Sequence, residues 1–315
     1  MNRRQFLLAS SMSALAGLPA KFGFAESAAT NIGVQLFSVP KSLEKNFRQG
    51  IALLAQLGYK EVEFYGPYSF SAPYAITRWS TITPQLGFSG SGFFGLTASQ
   101  ARAILDENGM AAPSMHTDLD TLQTKMNELA GAAHVLGSSY VVLPSIPQDK
   151  RQTLDDYKKM AEAFNVIGEQ AQREGLKFAY HNHGYGLHEM EGHIPLNVIL
   201  EQTDPRLVSL EMDIFWMTAG GGDPVEYLKT YPDRYRMMHL KDMKKLMHFK
   251  GDGGDPSQWI DLFQYMTTVG DGVLDIKAIV AQARKSGVEH LFVEQDMAAH
   301  PKVELQRSIH YLKAL

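Results

Sequence analysis

Short apolar runs alternate along this chain with stretches in which apolar residues recur every three or four positions. That alternation predicts strands joined by helices rather than by hairpins, and therefore parallel strands. Residues 32–37 form the first expected strand, followed by a helix with Phe47, Ile51 and Leu54 on one face and Gly58 as its stop. Residues 61–65 form the second, and a helix over 97–108 leads past Gly109 to a third at 112–116. Leu122, Met126, Leu129 and Ala133 keep helical spacing before Gly137, a fourth strand spans 140–143, and a long helix over 154–174 precedes a fifth strand at 176–183. Strands six, seven and eight end at Asp213, His239 and Glu294, and a last helix starts near Val303. Eight strand–helix units predict an α/β fold, a single-domain (β/α)8 barrel over 31–315. Residues 66–96 break the rhythm, with Pro67, Pro73 and Pro84, several glycines, and Tyr68, Phe70, Tyr74, Trp79, Phe88, Phe93 and Phe94. This aromatic, glycine-rich insertion follows a strand end; as a long loop at the mouth it is either a lid or stacking wall, or packing on the barrel.

The first residues change the picture of where the protein works. Arg3 and Arg4 precede a short apolar stretch and then small residues before Glu26, the pattern of a twin-arginine export signal over 1–25, which predicts a periplasmic or secreted protein. No later segment approaches the ~18 apolar residues that span a bilayer, so no membrane partner is expected after processing. The formal charge is −4, and losing Arg3, Arg4 and Lys21 makes the remainder still more acidic, which excludes an electrostatic case for nucleic acid. With no cysteine in 315 residues, disulfides, thiolate ligands and a cysteine nucleophile are excluded, so any metal must sit on nitrogen and oxygen.

Strand ends carry the chemistry. In a closed parallel barrel the C-terminal ends of the strands meet at one mouth, so His181, Asp213, His239 and Glu294 can converge on one ion. Two histidines and two carboxylates suit Mn²⁺, with Zn²⁺, Co²⁺ or Fe²⁺ as alternatives. Alternation places His183 on the same face as His181, and Glu211 on the face of Asp213, one layer deeper. Glu211 is expected either to support a ligand or to pair with a barrel cation such as Lys177. Lys241 is expected to face inward, stabilising a developing enolate oxygen or pairing with Asp242 or Glu294. His116 and Glu63 are candidate substrate contacts, and Trp216 offers a sugar-stacking face or belongs to the core. No dinucleotide fingerprint, phosphate-binding loop or serine nucleophile elbow occurs.

The segments Tyr180-His181-Asn182-His183, Glu211-Met212-Asp213-Ile214-Phe215-Trp216, His239-Leu240-Lys241-Asp242, Val269-Gly270-Asp271-Gly272 and Phe292-Val293-Glu294-Gln295-Asp296 resemble those of the xylose-isomerase-like TIM-barrel superfamily. That superfamily contains sugar phosphate isomerases and epimerases, keto-sugar epimerases, inosose dehydratases and endonuclease IV. The resemblance implies one divalent ion on strands five to eight and a small carbohydrate substrate deprotonated next to its carbonyl. By motif, Glu294 becomes the base, Lys241 and His183 its catalytic neighbours. His181 stands where the keto-sugar epimerases carry a glutamate, which weakens a symmetrical two-glutamate epimerisation. The expected function is a metal-dependent sugar isomerase or epimerase. The alternatives are a lyase acting on a 3-keto-sugar or 3-keto-glycoside, as in the inosose dehydratases, and a sugar-binding protein without turnover.

Overall fold

A computed structural model describes residues 31–296 and 298–315; the expected export signal lies outside them. Eight parallel strands, β1 (Ile32–Gln35), β2 (Glu61–Tyr65), β3 (Ala111–His116), β4 (Tyr140–Leu143), β5 (Lys177–His181), β6 (Val208–Asp213), β7 (Tyr235–Leu240) and β8 (His290–Val293), close into a barrel. Each pairs with its sequence neighbours, and β1 with β8 completes the ring. Helix Leu154–Arg173 shows how the outer layer is specified. Thr153 and Asp156 form a capping box at its start, and Tyr157, Met160, Phe164, Ile167 and Ala171 fall on one buried face. Gly168 lies on that face because a Cβ there would come within 2.5 Å of the Leu207 carbonyl oxygen. Burying each large side chain of this kind contributes about 1.5–3 kcal/mol. The main core therefore lies between strands and helices.

The barrel interior is different. Tyr140, Val142, Ala179, Met237 and Phe292 form a small apolar plug, and Gly33 leaves room for Phe292, whose ring lies 2.5 Å from where its Cβ would be. From the plug toward the C-terminal ends of the strands, inward positions are polar: Gln35, Glu63, Ser114, His116, His181, Glu211 and His239, all buried. Two expected strands end early. β1 stops at Gln35, whose side chain accepts from Phe37 N at 3.2 Å and turns the chain into a short 3-10 segment. β5 stops at His181, because Asn182 uses its side chain on β6, accepting from Asp213 N at 3.2 Å and donating to Asp213 O at 3.3 Å.

The 66–96 segment is not a loop. Helix Pro73–Leu86 runs through it, with Pro73 at its first turn, where a missing N–H costs nothing, and Gly87 as a left-handed C-cap at φ 71°. Most of its aromatics pack on the barrel: Phe93 against Phe64 at 5.5 Å, Phe94 against Phe47 at 5.6 Å and Trp79 against Tyr65 at 6.0 Å, while Tyr74 is exposed. Packing, rather than a free stacking wall, is what this segment provides. A second excursion connects β7 to β8. Asp242–Met243 pairs antiparallel with Met266–Thr267, helix Pro256–Phe263 lies between them, and Trp216, Met243, Phe249, Leu262 and Met266 form a separate apolar cluster. Among the described residues no helix is long and apolar enough to cross a membrane.

Candidate metal centre

Parallel strands bring three of the four expected ligands to one place. Asp213, His239 and Glu294 each offer an atom within 4.8 Å of the others. His181, from β5, stands at the edge of that group, its Nε2 3.8 Å from Asp213 Oδ2, and gathers instead with His116, Glu211 and His239. The other nitrogen of each histidine is held by a carboxylate: His181 Nδ1 lies 3.0 Å from Glu211 Oε2, and His239 Nε2 lies 2.5 Å from Glu63 Oε2. His239 Nδ1 faces Glu294 Oε2 at 2.6 Å. A ligand histidine whose second nitrogen donates to a carboxylate has its tautomer and ring orientation fixed.

Asp213 divides its two oxygens between tasks. Oδ1 accepts from Trp216 N at 3.0 Å and caps the helix Ile214–Ala219. Oδ2 is buried without a hydrogen bond, although Lys241 Nζ stands 3.0 Å away as an ion-pair partner. That oxygen, paired to an ammonium and with an imidazole nitrogen at 3.8 Å, sits where positive charge is already favoured, and nitrogen and carboxylate donors together suit a divalent transition metal. The residues present therefore fit such an ion.

Lys241 sits among three carboxylates, 3.0 Å from Asp213, 2.8 Å from Glu294 and 3.1 Å from Asp296. Burial works against its charge, but Asp213, Asp296 and Glu294 outweigh it and hold the ammonium protonated well above the usual lysine range. Burial likewise opposes ionised Glu294, and Lys241 and His239 carry its carboxyl well below the ordinary value. Asp213 and Asp296 go the other way: burial raises both, Asp296 to about 7. His183 is depressed to about 3 by burial and by Lys241, so it is a neutral imidazole, and its Nδ1 has no hydrogen-bond partner.

Several expected roles change. Glu63 is fully buried, accepting from Gln35 Nε2 at 2.8 Å and Ser114 Oγ at 2.5 Å besides facing His239, so it supports His239 and is not placed as a substrate contact. His116 is 6% exposed, and its Nε2 points down between Glu211 at 2.7 Å and Glu63 at 3.1 Å, which removes it from the substrate side as well. Burial opposes its charge, yet Glu63 and Glu211 raise it to about 9. Glu211 supports His181 and does not pair with Lys177, which lies toward Glu289 at 3.9 Å. Asp242 does not pair with Lys241; its Oδ2 accepts from Gly270 N at 2.9 Å and Gly272 N at 3.0 Å. Trp216 is 2% exposed, packed against Phe249 at 5.8 Å, and so belongs to the core instead of a sugar platform.

Three participants had no role assigned from the sequence, although Asp296 closes the motif segment that starts at Phe292. Asp296 joins Lys241 from beyond β8. Trp259, in the β7–β8 connection, stacks on His183 at 4.6 Å and donates from Nε1 to Gly253 O at 2.7 Å. Buried Arg151 donates to Ile146 O at 2.9 Å and Gly254 O at 2.7 Å and lies 3.9 Å over the Tyr185 ring, tying together the segments that follow β4, β5 and β7.

Residues 51–315 match the family model for the xylose isomerase-like TIM barrel. An inosose dehydratase of Clostridium tetani is 31% identical over 152 residues, 46% of this chain and 50% of that protein. One of Lacticaseibacillus casei is 29% identical over 177 residues, 54% of this chain and 58% of that protein. The chain thus spans about half the length of the curated relatives it matches. Among solved structures, a sugar phosphate isomerase/epimerase of Parabacteroides distasonis superposes with a TM-score of 0.68 at 23% identity, covering 94% of this chain and 98% of the other. The IolI protein with a bound zinc atom gives 0.62 at 15%, covering 90% and 95%. At these identities the two structures establish the shared fold alone.

Proposed function

Because this chain belongs to the xylose isomerase-like TIM-barrel family, we propose that it is a divalent-cation-dependent lyase eliminating water or an alcohol from a keto-sugar, keto-glycoside or keto-cyclitol. The observation that carries this reading is the one-sided supply of base. The mouth carboxylates Asp213, Glu294 and Asp296 all gather around one Lys241 Nζ, at 3.0, 2.8 and 3.1 Å, with Glu294 at the family's base position, whereas Glu211 lies one layer deeper, fully buried and turned to His116 and His181. Symmetrical proton removal and return needs two opposed bases; a single base suits removal followed by loss of a neighbouring group. The inosose dehydratase relatives support the same choice.

A cation held by His181, Asp213, His239 and Glu294 would polarise the substrate carbonyl and ease loss of the adjacent proton. Glu294 takes that proton, the electron pair forms a carbon–carbon double bond, and the carbon–oxygen bond on the next carbon breaks. The departing oxygen receives a proton from the Lys241–Asp296 pair. Glu294, 2.8 Å from Lys241 Nζ, then returns the proton it took, which closes the cycle. His183, neutral and with a free Nδ1, orients a substrate hydroxyl beneath Trp259. Incubating Mn²⁺-loaded protein with an inosose and with 3-keto-glycosides in D₂O, followed by NMR, tests this. An unsaturated ketone with released water or aglycone is the expected outcome; deuterium entering an intact sugar would replace the lyase reading by isomerisation or epimerisation.

A further inference from the structure

Glu63 on β2 and Glu211 on β6 reach inward from opposite sides of the barrel, and each supports a different ligand histidine, His239 and His181 respectively. Two nitrogens lie between them: His116 Nε2, 2.7 Å from Glu211 Oε2 and 3.1 Å from Glu63 Oε2, and His239 Nε2, 2.5 Å from Glu63 Oε2 but 3.4 Å from Glu211 Oε1, so His116 makes the tighter bridge to Glu211. We propose that His116 is a positioning residue that ties these two supports into one unit, holding the imidazoles of His181 and His239 in register for a shared cation. The inference rests on the cation reading above and adds to it a residue that touches neither cation nor substrate.

The physical argument is one of charge and space. Both carboxylates have no exposure, so no bulk water screens them from each other, and at ~4–6 Å two buried like charges each disfavour the other's ionised form. An N–H shared between them removes that conflict and fixes both carboxylate planes. Through those planes it fixes two rings: the His116 and His239 rings are nearly parallel, 5° apart with centroids at 5.3 Å, and His181 lies 4.6 Å from His239. Without His116, Glu63 is still held by Gln35, Ser114 and His239, whereas Glu211 keeps only His181 and a 3.4 Å approach of His239; Glu211 is then free to turn, and the His181 and His239 rings beside it lose their register.

The same geometry leaves one rival, because His116, His181, Glu211 and His239 also offer atoms within 4.8 Å of one another and could themselves ligate a deeper ion. Titrating the metal-free full chain with Mn²⁺ by calorimetry, with ions counted by mass spectrometry, separates the two. Wild type should bind one ion. His116→Ala should bind one ion ~10–100-fold more weakly, the usual cost of losing an outer support, and His116→Gln, which keeps an N–H donor, should recover most of that loss. At saturating Mn²⁺ the His116→Ala turnover should approach wild type while the half-saturating Mn²⁺ concentration rises. Long-range ¹H–¹⁵N spectra of the metal-free protein give a readout independent of metal: the ring tautomers of His181 and His239 should change in His116→Ala and be restored in His116→Gln. Two ions in wild type falling to one in His116→Ala would make His116 a ligand and overturn the proposal. So would wild-type affinity together with unchanged tautomers. A wild type that binds no ion but shows the tautomer change would sink the cation reading and leave the positioning role standing.

Discussion

Replacing Lys241 by methionine keeps the apolar stem of the side chain and removes the one ammonium that three buried carboxylates share. Lys241 is 3% exposed, so solvent cannot take over that charge. Breaking a buried ion pair by removing one partner costs about 3–5 kcal/mol, and three anions around one cation place this site at the upper end. At ~2–4 °C per kcal/mol for a domain of this size class, the metal-free variant should melt roughly 6–20 °C below wild type. Added Mn²⁺ should recover much of that difference, because a dication between Asp213 and Glu294 supplies the missing positive charge. The pH dependence has a definite sign. The raised pKa of Lys241 means that its contribution is complete throughout the neutral range in wild type and is lost only in strong base. In the variant, lowering the pH from 7.5 to 5 should recover stability, since Asp296, already pushed to about 7, takes up a proton and removes one of the opposed charges. Thermal melts in chelator and in Mn²⁺ at the two pH values read all of this. A metal-free variant melting within about 2 °C of wild type, less than 1 kcal/mol by the same scale, would refute the argument from buried charge.

Glu294→Gln keeps a coordinating oxygen without its basicity, so it should retain most of its metal and lose ~10²–10⁴ in turnover, the scale of one general base; near-normal turnover would place the base elsewhere, with His183 first in line. Arg151→Met should raise KM more than it lowers kcat and speed proteolysis near residues 250–256, because two carbonyl contacts to separate segments disappear; an unchanged proteolytic rate would mean those segments hold without it. For export, we propose the twin-arginine route, and lysine at both Arg3 and Arg4 should keep the chain out of the periplasm; unaltered secretion of that double variant would count against it.

The convergence of Asp213, His239 and Glu294 was readable because the fold itself performs the sorting: once strands are parallel and closed, every strand end faces the mouth. Depth along the barrel axis was not readable in the same way. Glu63 and His116 also lie at or near strand ends, yet the stagger between neighbouring strands places them one layer lower, where they meet His239 and Glu211 instead of substrate. The 66–96 segment misled for a local reason. Its prolines and glycines read as breakers, whereas Pro73 and Gly87 are the two ends of a helix. Arg151 and Trp259 were invisible because nothing periodic links them to their partners; Arg151 and Gly254, for instance, are 103 residues apart. Asp296 stood in a motif segment two residues past Glu294, but its pairing with Lys241 was not readable.

The polar filling of the upper barrel has a consequence for how such a protein can change over time. Apolar burial, the main driving force for folding, is concentrated in the layer between strands and helices, while inside the barrel five of the described residues form an apolar plug. Inward positions at the mouth end are therefore largely released from the task of holding the chain together. A residue there can be exchanged, as glutamate for His181 would be, with the cost confined to the charges and hydrogen bonds of its immediate neighbours. One scaffold can in this way host reactions that differ in where a proton is returned, while its helices and the outward faces of its strands stay under the unrelated constraint of packing.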